Sequence, residues 1–166
     1  MNIEGLLDKF GPNFAVPHKL NEAERAELKK GVEPIWNQYI NLPLTISVGD
    51  EPIRRLCQVL TNNGYVTFSS CEGHGKDKPY ICFRCKSTSA VAGLSYILDQ
   101  TAIANFIWEI KVHSQTGMND NRFRAYYTIN PEESRRECLD IVKDKKQLIE
   151  DFDILGYSIL DYFLNR

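Results

Sequence analysis

The sequence predicts an α/β (α+β) protein, built on a single mixed or antiparallel sheet with helices mainly on one face. The stretches "FIWEIKVH" (106–113) and "RFRAYYTI" (122–129) place apolar residues at every second position, the period of a half-buried strand. Stretches with helical spacing and capping residues separate this pair from earlier strand-like runs. The resulting order is strand, helix, strand, strand, helix, strand, strand, helix, which favours a split β-α-β core.

The first predicted elements lie before residue 50. Asn21 followed by Glu24 is a capping-box pattern that begins a helix, and Gly31 and Pro34 mark a break or kink in it. The next stretch, "LPLTISV" (42–48), is a candidate extra strand.

The middle of the chain supplies two further helices and two strands. Asp50 is placed to cap a helix whose apolar residues recur at helical spacing up to a stop at Gly64, and Cys57 on that stripe is predicted to be core. The strands "YVTFSS" (65–70) and "YICFRC" (80–85) follow, joined by a nine-residue connection, "CEGHGKDKP". A helix then runs through "SAVAGLSYILDQ" (89–100), capped by Ser87, Thr88 or Ser89.

The two alternating stretches could form a hairpin, and a helical segment is predicted to follow them. Asn130 is its expected N-cap, Pro131 its first-turn residue and Glu133 its capping partner, with a break near Gly156. The end of the chain, "DFDILGYSILDYFLNR", carries apolar residues at helical spacing. This segment is predicted to pack on the core or to make a homodimer.

Length and composition limit the classes of protein. The 166 residues fit a single domain, 1–166, with an N-terminal arm (1–20), an α/β core (43–130) and a C-terminal helical segment (131–166). A formal net charge of −2 argues against gripping nucleic acid by bulk charge. Because no apolar run approaches the roughly 20 residues of a membrane span and no signal peptide is evident, we expect a cytoplasmic protein without membrane contact.

The loop "SSCEGHG" is the strongest candidate for a reaction site. Cys71 could act as a nucleophile with His74 as its base, and Glu72 could orient the imidazole or act as general acid or base. The glycines allow a left-handed backbone or the close approach of a ligand. Ligand contacts in this loop are assigned to Ser69, Ser70, Gly73 and Gly75.

A polar sheet face adjoins this loop if the strands keep a strict alternation. Guanidinium groups next to aromatic rings suit a planar anionic ligand, because Arg can fork onto phosphate while Tyr stacks on a base. The predicted face contains Thr67, Ser69, Tyr80, Arg84, Glu109, Lys111, His113, Arg122, Arg124 and Tyr126. Of these, Arg84, His113, Arg122, Arg124 and Tyr126 are assigned to ligand binding.

Zinc is the alternative reading of the same loop. Cys71, His74, Cys82 and Cys85 are suitable donors, and "CFRC" has the spacing of a ligand pair. If 80–85 is a strand, however, Cys82 and Cys85 point to opposite faces. No residue is therefore assigned as a metal ligand, and the odd set of five cysteines is expected to be reduced.

The run "FSSCEGHG" resembles the Ser-Ser-Cys-Ser-Gly-Arg motif of the tRNA wybutosine-synthesis methyltransferase family. The residues shared by identity are Ser69, Ser70, Cys71 and Gly73, whereas Glu72 stands where the motif has Ser and His74 where it has Arg. The resemblance implies S-adenosylmethionine-dependent methyl transfer to a modified guanosine in tRNA. The same run also looks like a motif of uncharacterised bacterial or phage proteins, for which no activity is implied.

Taken together, the sequence favours a protein that binds a nucleotide-like or RNA ligand through the loop and the adjoining sheet face, with a transferase activity on RNA or a nucleotide as one form of this hypothesis. The rivals are a non-enzymatic protein that dimerises through its C-terminal helix and a zinc-stabilised binding module. The predicted core topology is similar to ferredoxin-like folds.

Overall fold

From residue 49 onward, the described part of the computed structural model contains three helices and four strands, in the order α1, β1, β2, α2, β3, β4, α3. The helices are α1 (Glu51–Asn62), α2 (Thr88–Gln100) and α3 (Lys145–Leu164). The strands are β1 (Val66–Cys71), β2 (Tyr80–Arg84), β3 (Trp108–Thr116) and β4 (Phe123–Pro131). The residues described are 23, 26, 30, 33–34, 36–38, 41–47, 49–101, 104–116, 123–131 and 140–164.

The four strands form one antiparallel sheet in the order β1-β2-β4-β3. Since β2 and β3 each pair antiparallel with β4, they run parallel to one another with β4 between them, and α2 connects them. This arrangement is a split β-α-β unit. The α/β class with an antiparallel sheet, and the hairpin of β3 and β4, are confirmed.

One face of the sheet is buried against the helices. Ile81 and Phe83 of β2 and Ile129 of β4 are at most 1% exposed, and all three helices add buried side chains to the same apolar cluster. Cys57 of α1 belongs to this core, where burial raises the pKa of its thiol to about 11. The opposite face, which we call the open face, carries no described helix.

A buried carboxylate fixes α3 to the segment that leads into β3. Asp151 accepts hydrogen bonds from the backbone N–H groups of Asn105 (2.6 Å) and Phe106 (2.9 Å). The indole Nε1 of Trp108 (2.8 Å) and the side-chain amide of Asn105 (3.0 Å) donate to the same carboxylate. Burial nevertheless raises the pKa of Asp151 to about 6, although these donors act in the opposite direction.

The predicted extra strand is wrong for the described residues 42–47, which have no regular structure. Side chains of α1 replace the ladder bonds that a strand would make. The backbone N–H of Thr45 donates to Gln58 Oε1 at 2.8 Å, and Arg55 donates to the carbonyl of Leu42 at 2.7 Å. A segment whose backbone is satisfied in this way has no need to join the sheet.

The predicted helix start at Asn130 and Pro131 is also wrong, because both residues belong to β4. Pro131 is the last residue of the strand and lies opposite Trp108 of β3. The ladder with β2 ends at Ile129, so the missing N–H of Pro131 costs no ladder bond there. Glu133 lies outside the described residues.

Gly156 does not break the last helix, which is continuous through it. The residue is needed for packing, because an added Cβ would come within 2.7 Å of Cη2 of Trp36. Most apolar side chains of α3 face the core, while Phe163 and Leu164 at its end are 37% and 69% exposed. A homodimer through this helix therefore stays a prediction.

Two further helix predictions concern the start of α2 and the residues before position 41. Ser87 is the N-cap of α2, and its Oγ accepts from the backbone N–H of Ala90 at 3.2 Å. Before residue 41, the described positions from 23 to 38, including Pro34, are helical, as predicted. Asn21, Glu24, Gly31 and the arm (1–20) lie outside the described residues.

Candidate functional site

A bulge in β1 changes which residues reach the open face. Thr67 pairs with Phe83 and Ser69 with Cys82, so the register shifts between Thr67 and Ser69. As a result Thr67 is buried on the helix side, and its assignment to the polar face is wrong. Phe68, which the strict alternation did not place on that face, is 43% exposed.

Phe68 is part of a contiguous group of rings and a cation that we call the aromatic patch: Phe68, Arg84, His113 and Tyr126. The guanidinium carbon of Arg84 lies 4.9 Å from the centre of the Phe68 ring. Phe68 meets Tyr126 edge to face at 5.9 Å, and Tyr126 stacks on His113 at 4.8 Å with ring planes 13° apart. The patch therefore crosses all four strands, since Tyr126 lies on β4 and His113 on β3.

Four other residues were predicted on the polar face next to these rings: Glu109, Lys111, Arg122 and Arg124. Lys111 and Glu109 form an ion pair at 2.8 Å next to the patch. Arg124 is described only as part of β4, opposite Gln115. Arg122 lies outside the described residues.

The loop after β1 has an unusual backbone. Gly73, His74 and Gly75 have φ values of +83°, +50° and +70°. A Cβ at Gly73 would collide with the carbonyl oxygen of Asp77, whose own N–H donates to the Gly73 carbonyl at 2.9 Å. His74 is the only described residue other than glycine with a positive φ. A left-handed conformation costs such a residue about 1–2 kcal/mol.

This backbone brings together five side chains that we call the loop cluster: Asp50, Cys71, Glu72, His74 and Lys145. Nε2 of His74 lies 3.4 Å from Asp50 Oδ2, and Nδ1 lies 3.4 Å from Glu72 Oε1. Lys145 Nζ is 3.7 Å from the same Glu72 oxygen. One ligand atom each of Asp50, Cys71 and His74 lie within 4.8 Å of one another.

The cluster joins the predicted trio of Cys71, Glu72 and His74 to two residues that sequence reasoning did not assign to the site. Asp50 holds the N-cap position of α1, but its side chain makes no cap bond. It accepts instead from the backbone N–H of Glu72 at 3.1 Å. Lys145 comes from the first turn of α3. The one sequence feature that marked Asp50 was its position just before a helix, and that position predicted an N-cap.

Ser70 does not fit its predicted role as a ligand contact. It pairs with Ile81 on the helix side of the sheet, where its Oγ is buried. An added Cβ at Gly49 would collide with that Oγ. Ser69 and Cys71 alternate with it toward the open face, opposite Cys82 and Tyr80.

The loop cluster and Arg84 lie at opposite ends of the same hairpin. Cys71 is opposite Tyr80, whereas Arg84 is opposite Val66, five residues earlier in β1. At about 3.3 Å per residue, the four steps from Tyr80 to Arg84 in the partner strand span roughly 13 Å, and Phe68 is at most about 10 Å along β1 from Cys71. The predicted single site is therefore two neighbouring regions on one strand surface.

Of the four predicted zinc ligands, Cys71 and His74 lie together in the loop cluster, whereas Cys82 and Cys85 do not join them. Cys82 lies on the open face, where burial raises the pKa of its thiol, and Cys85 donates to the carbonyl of Ser87 at 3.3 Å. Within the described part of the chain, the group of close metal-ligating side chains consists of Asp50, Cys71 and His74 and includes neither Cys82 nor Cys85.

Comparisons with protein-family models, curated proteins and solved structures find no match for this chain. Among the described residues, no helix is long and apolar enough to cross a membrane.

Proposed function

We propose that the protein binds single-stranded RNA, or a nucleotide with the same base and phosphate groups, on the open face of its sheet. The observation that carries this proposal is the aromatic patch, in which an exposed Phe68 lies beside Arg84 and next to the stacked pair of Tyr126 and His113. Unstacked RNA bases bind to exposed rings and guanidinium planes on sheets of this kind.

The exposure of Phe68 supports a ligand more than a packing role. Its bulge turns the ring away from a core that lies directly beneath the neighbouring Thr67. A ring that is 43% exposed leaves apolar area in water, and a stacked base would cover it. Burial of such area contributes about 25 cal/mol per Å² before the costs of association.

The charges around the patch favour stacking over bulk electrostatic attraction. Arg84 supplies a cation for phosphate or for a base face, while Lys111 is paired with Glu109. With a net charge of −2, the chain lacks the general positive field of a protein that binds duplex nucleic acid through its backbone. Single strands, which offer unpaired bases, are the expected ligand.

The loop cluster would then face a nucleotide next to the one stacked on Phe68. Cys71 ends the same strand, roughly 10 Å along β1. A strand of RNA that followed β1 from the patch would bring a nucleotide to this cluster. A transferase acting on RNA or a nucleotide remains the enzymatic form of the proposal, and the motif-level resemblance makes S-adenosylmethionine the first cosubstrate to test.

Fluorescence anisotropy with labelled 12-nucleotide single-stranded RNA tests the proposal. Loss of one stacking ring costs about 1–3 kcal/mol, or roughly 5- to 150-fold in Kd, so Phe68→Ala and Tyr126→Ala are each expected to weaken binding within that range. Tyr96→Ala is the matched control, because this tyrosine is 52% exposed on α2.

The affinity for single-stranded RNA is compared with the affinities for duplex RNA and for mononucleotides under the same conditions. Tighter binding of the single strand, lost only in the two patch variants, supports the proposal. Absence of binding, or equal losses in the Tyr96 control, would contradict it. A thermal shift with S-adenosylmethionine, with and without RNA, separates the binding proposal from its enzymatic form.

A further inference from the structure

We infer that the loop cluster is a binding site for a divalent transition metal of the zinc type, with Asp50, Cys71 and His74 as protein ligands. Their sulfur, nitrogen and oxygen atoms already lie within 4.8 Å of one another. Thiolate, imidazole and carboxylate are the donors that zinc accepts. This assignment shares only Cys71 and His74 with the set considered from the sequence.

The spacing of two of the ligand atoms matches a tetrahedral centre. Metal–ligand bonds of about 2.0–2.3 Å place neighbouring ligand atoms roughly 3.3–3.6 Å apart. His74 Nε2 and Asp50 Oδ2 are 3.4 Å apart. The separations from Cys71 Sγ are at most 4.8 Å, and the His74 side chain, which is 56% exposed, would close on the metal by rotation.

The surrounding groups are those that support metal ligands in proteins. A ligating histidine normally has its second nitrogen held by a carboxylate, and Glu72 Oε1 lies 3.4 Å from His74 Nδ1. The backbone N–H of Gly73 donates to Cys71 Sγ at 3.3 Å, which holds the sulfur beside the loop backbone. Lys145 near Glu72 offsets the negative charge of the outer carboxylate.

Glu72 gives an independent indication that this region serves a ligand. Its side chain is only 11% exposed. Its second oxygen, Oε2, is buried and has no hydrogen-bond partner among the described residues. A buried carboxylate oxygen is costly to leave unpaired, so a further hydrogen-bond donor is expected beside the cluster.

Three protein ligands leave one position of a tetrahedral metal open, which is typical of catalytic rather than structural zinc. When bound, the metal would supply Lewis acidity to a water or substrate oxygen at that position. Glu72 would hold the imidazole so that Nε2 faces the metal. The site stands without the RNA proposal, because its test uses no nucleic acid.

The test measures zinc binding to the purified full-length protein after chelator treatment, by elemental analysis and by competition with a chromogenic chelator. One equivalent of Zn²⁺ is expected, together with a thiolate-to-metal charge-transfer band when Co²⁺ is the probe. Cys71→Ser and His74→Ala are each expected to weaken binding at least 100-fold. Glu72→Gln should weaken it about 10- to 100-fold through the outer shell.

Matched controls come from the same chain. Cys82→Ser and Cys85→Ser remove the same donor type outside the cluster and should leave the affinity within about twofold. Circular dichroism of each variant without metal shows that it is folded. Substoichiometric zinc, or a Cys71→Ser protein that is folded and binds with unchanged affinity, would overturn the inference, as would loss of binding in Cys82→Ser or Cys85→Ser.

Discussion

Asp151 gives the folded protein a pH dependence that can be worked out from the structure. Its pKa is about 6 in the folded state, against 3.8 for an ordinary aspartate. Between these values the folded protein holds a proton that the unfolded chain has lost, so the free energy of unfolding falls as the pH rises. At 1.36 kcal/mol per pKa unit the total fall is roughly 3 kcal/mol.

The Asp151→Asn variant isolates this contribution. The amide keeps one acceptor oxygen for part of the N–H groups of Asn105, Phe106 and Trp108. Its NH₂ group replaces the second carboxylate oxygen, so a donor then faces the remaining N–H donors. We expect the variant to be less stable than the wild type by about 3 kcal/mol near pH 4. The difference should shrink as the pH rises, because the variant lacks the titrating group.

Urea denaturation, followed by the fluorescence of Trp36 and Trp108, measures this difference between pH 4 and 7.5. The expected result is that the stability advantage of the wild type decreases by about 2.4 kcal/mol across the range, because part of the total is already lost at pH 4. A constant difference would mean that Asp151 does not titrate there. An advantage that grew with pH would refute the reasoning, because the four N–H donors would then outweigh burial and hold the carboxylate ionised.

Three further predictions concern packing, the loop and the binding mode. Gly156→Ala should destabilise the fold by about 1–3 kcal/mol in thermal or urea unfolding, because the added methyl group contacts Trp36. Gly93→Ala is the control: its added methyl group contacts nothing within 4 Å, and it should stabilise the fold by up to about 1 kcal/mol. Equal effects of the two variants would contradict the packing argument. Gly73→Ala should cost at least about 2 kcal/mol, because it combines a left-handed backbone with a collision at Asp77; a neutral effect would mean that the loop relaxes freely. The dependence of RNA affinity on salt should be shallow, with a slope of log K of about −0.7 to −1.4 for one or two phosphate contacts, and a slope steeper than about −3 would indicate binding by bulk charge instead.

The sequence was informative where one face of an element is buried and the other is wet. The alternation of 106–113 and 122–129 predicted the β3–β4 hairpin, and the helical stripe with Cys57 predicted the core face of α1. Ser87 was among the expected caps of α2 because the chemistry of an N-cap is local. These features depend on neighbours within a few positions along the chain.

The predictions that failed depend on contacts between residues that are far apart in the sequence. The bulge between Thr67 and Ser69 leaves no mark in the run "VTFSSC", so the exposure of Phe68 was not foreseen. Asp50 has the chemistry of a cap, and only the fold shows that its carboxylate turns to a loop 22 positions later. Gly156 was interpreted as a helix break because its partner, Trp36, is far away in sequence.

Photo-crosslinking tests the central claim, that the aromatic patch is the nucleic-acid surface, most directly. Single-stranded RNA carrying thiouridine would be irradiated with the full-length protein, and the linked peptides would be mapped by mass spectrometry. We expect links in β1 near Phe68 and in β4 near Tyr126, and their loss in the Phe68→Ala variant. Links confined to the outer surfaces of α2 and α3, or no specific links, would contradict it.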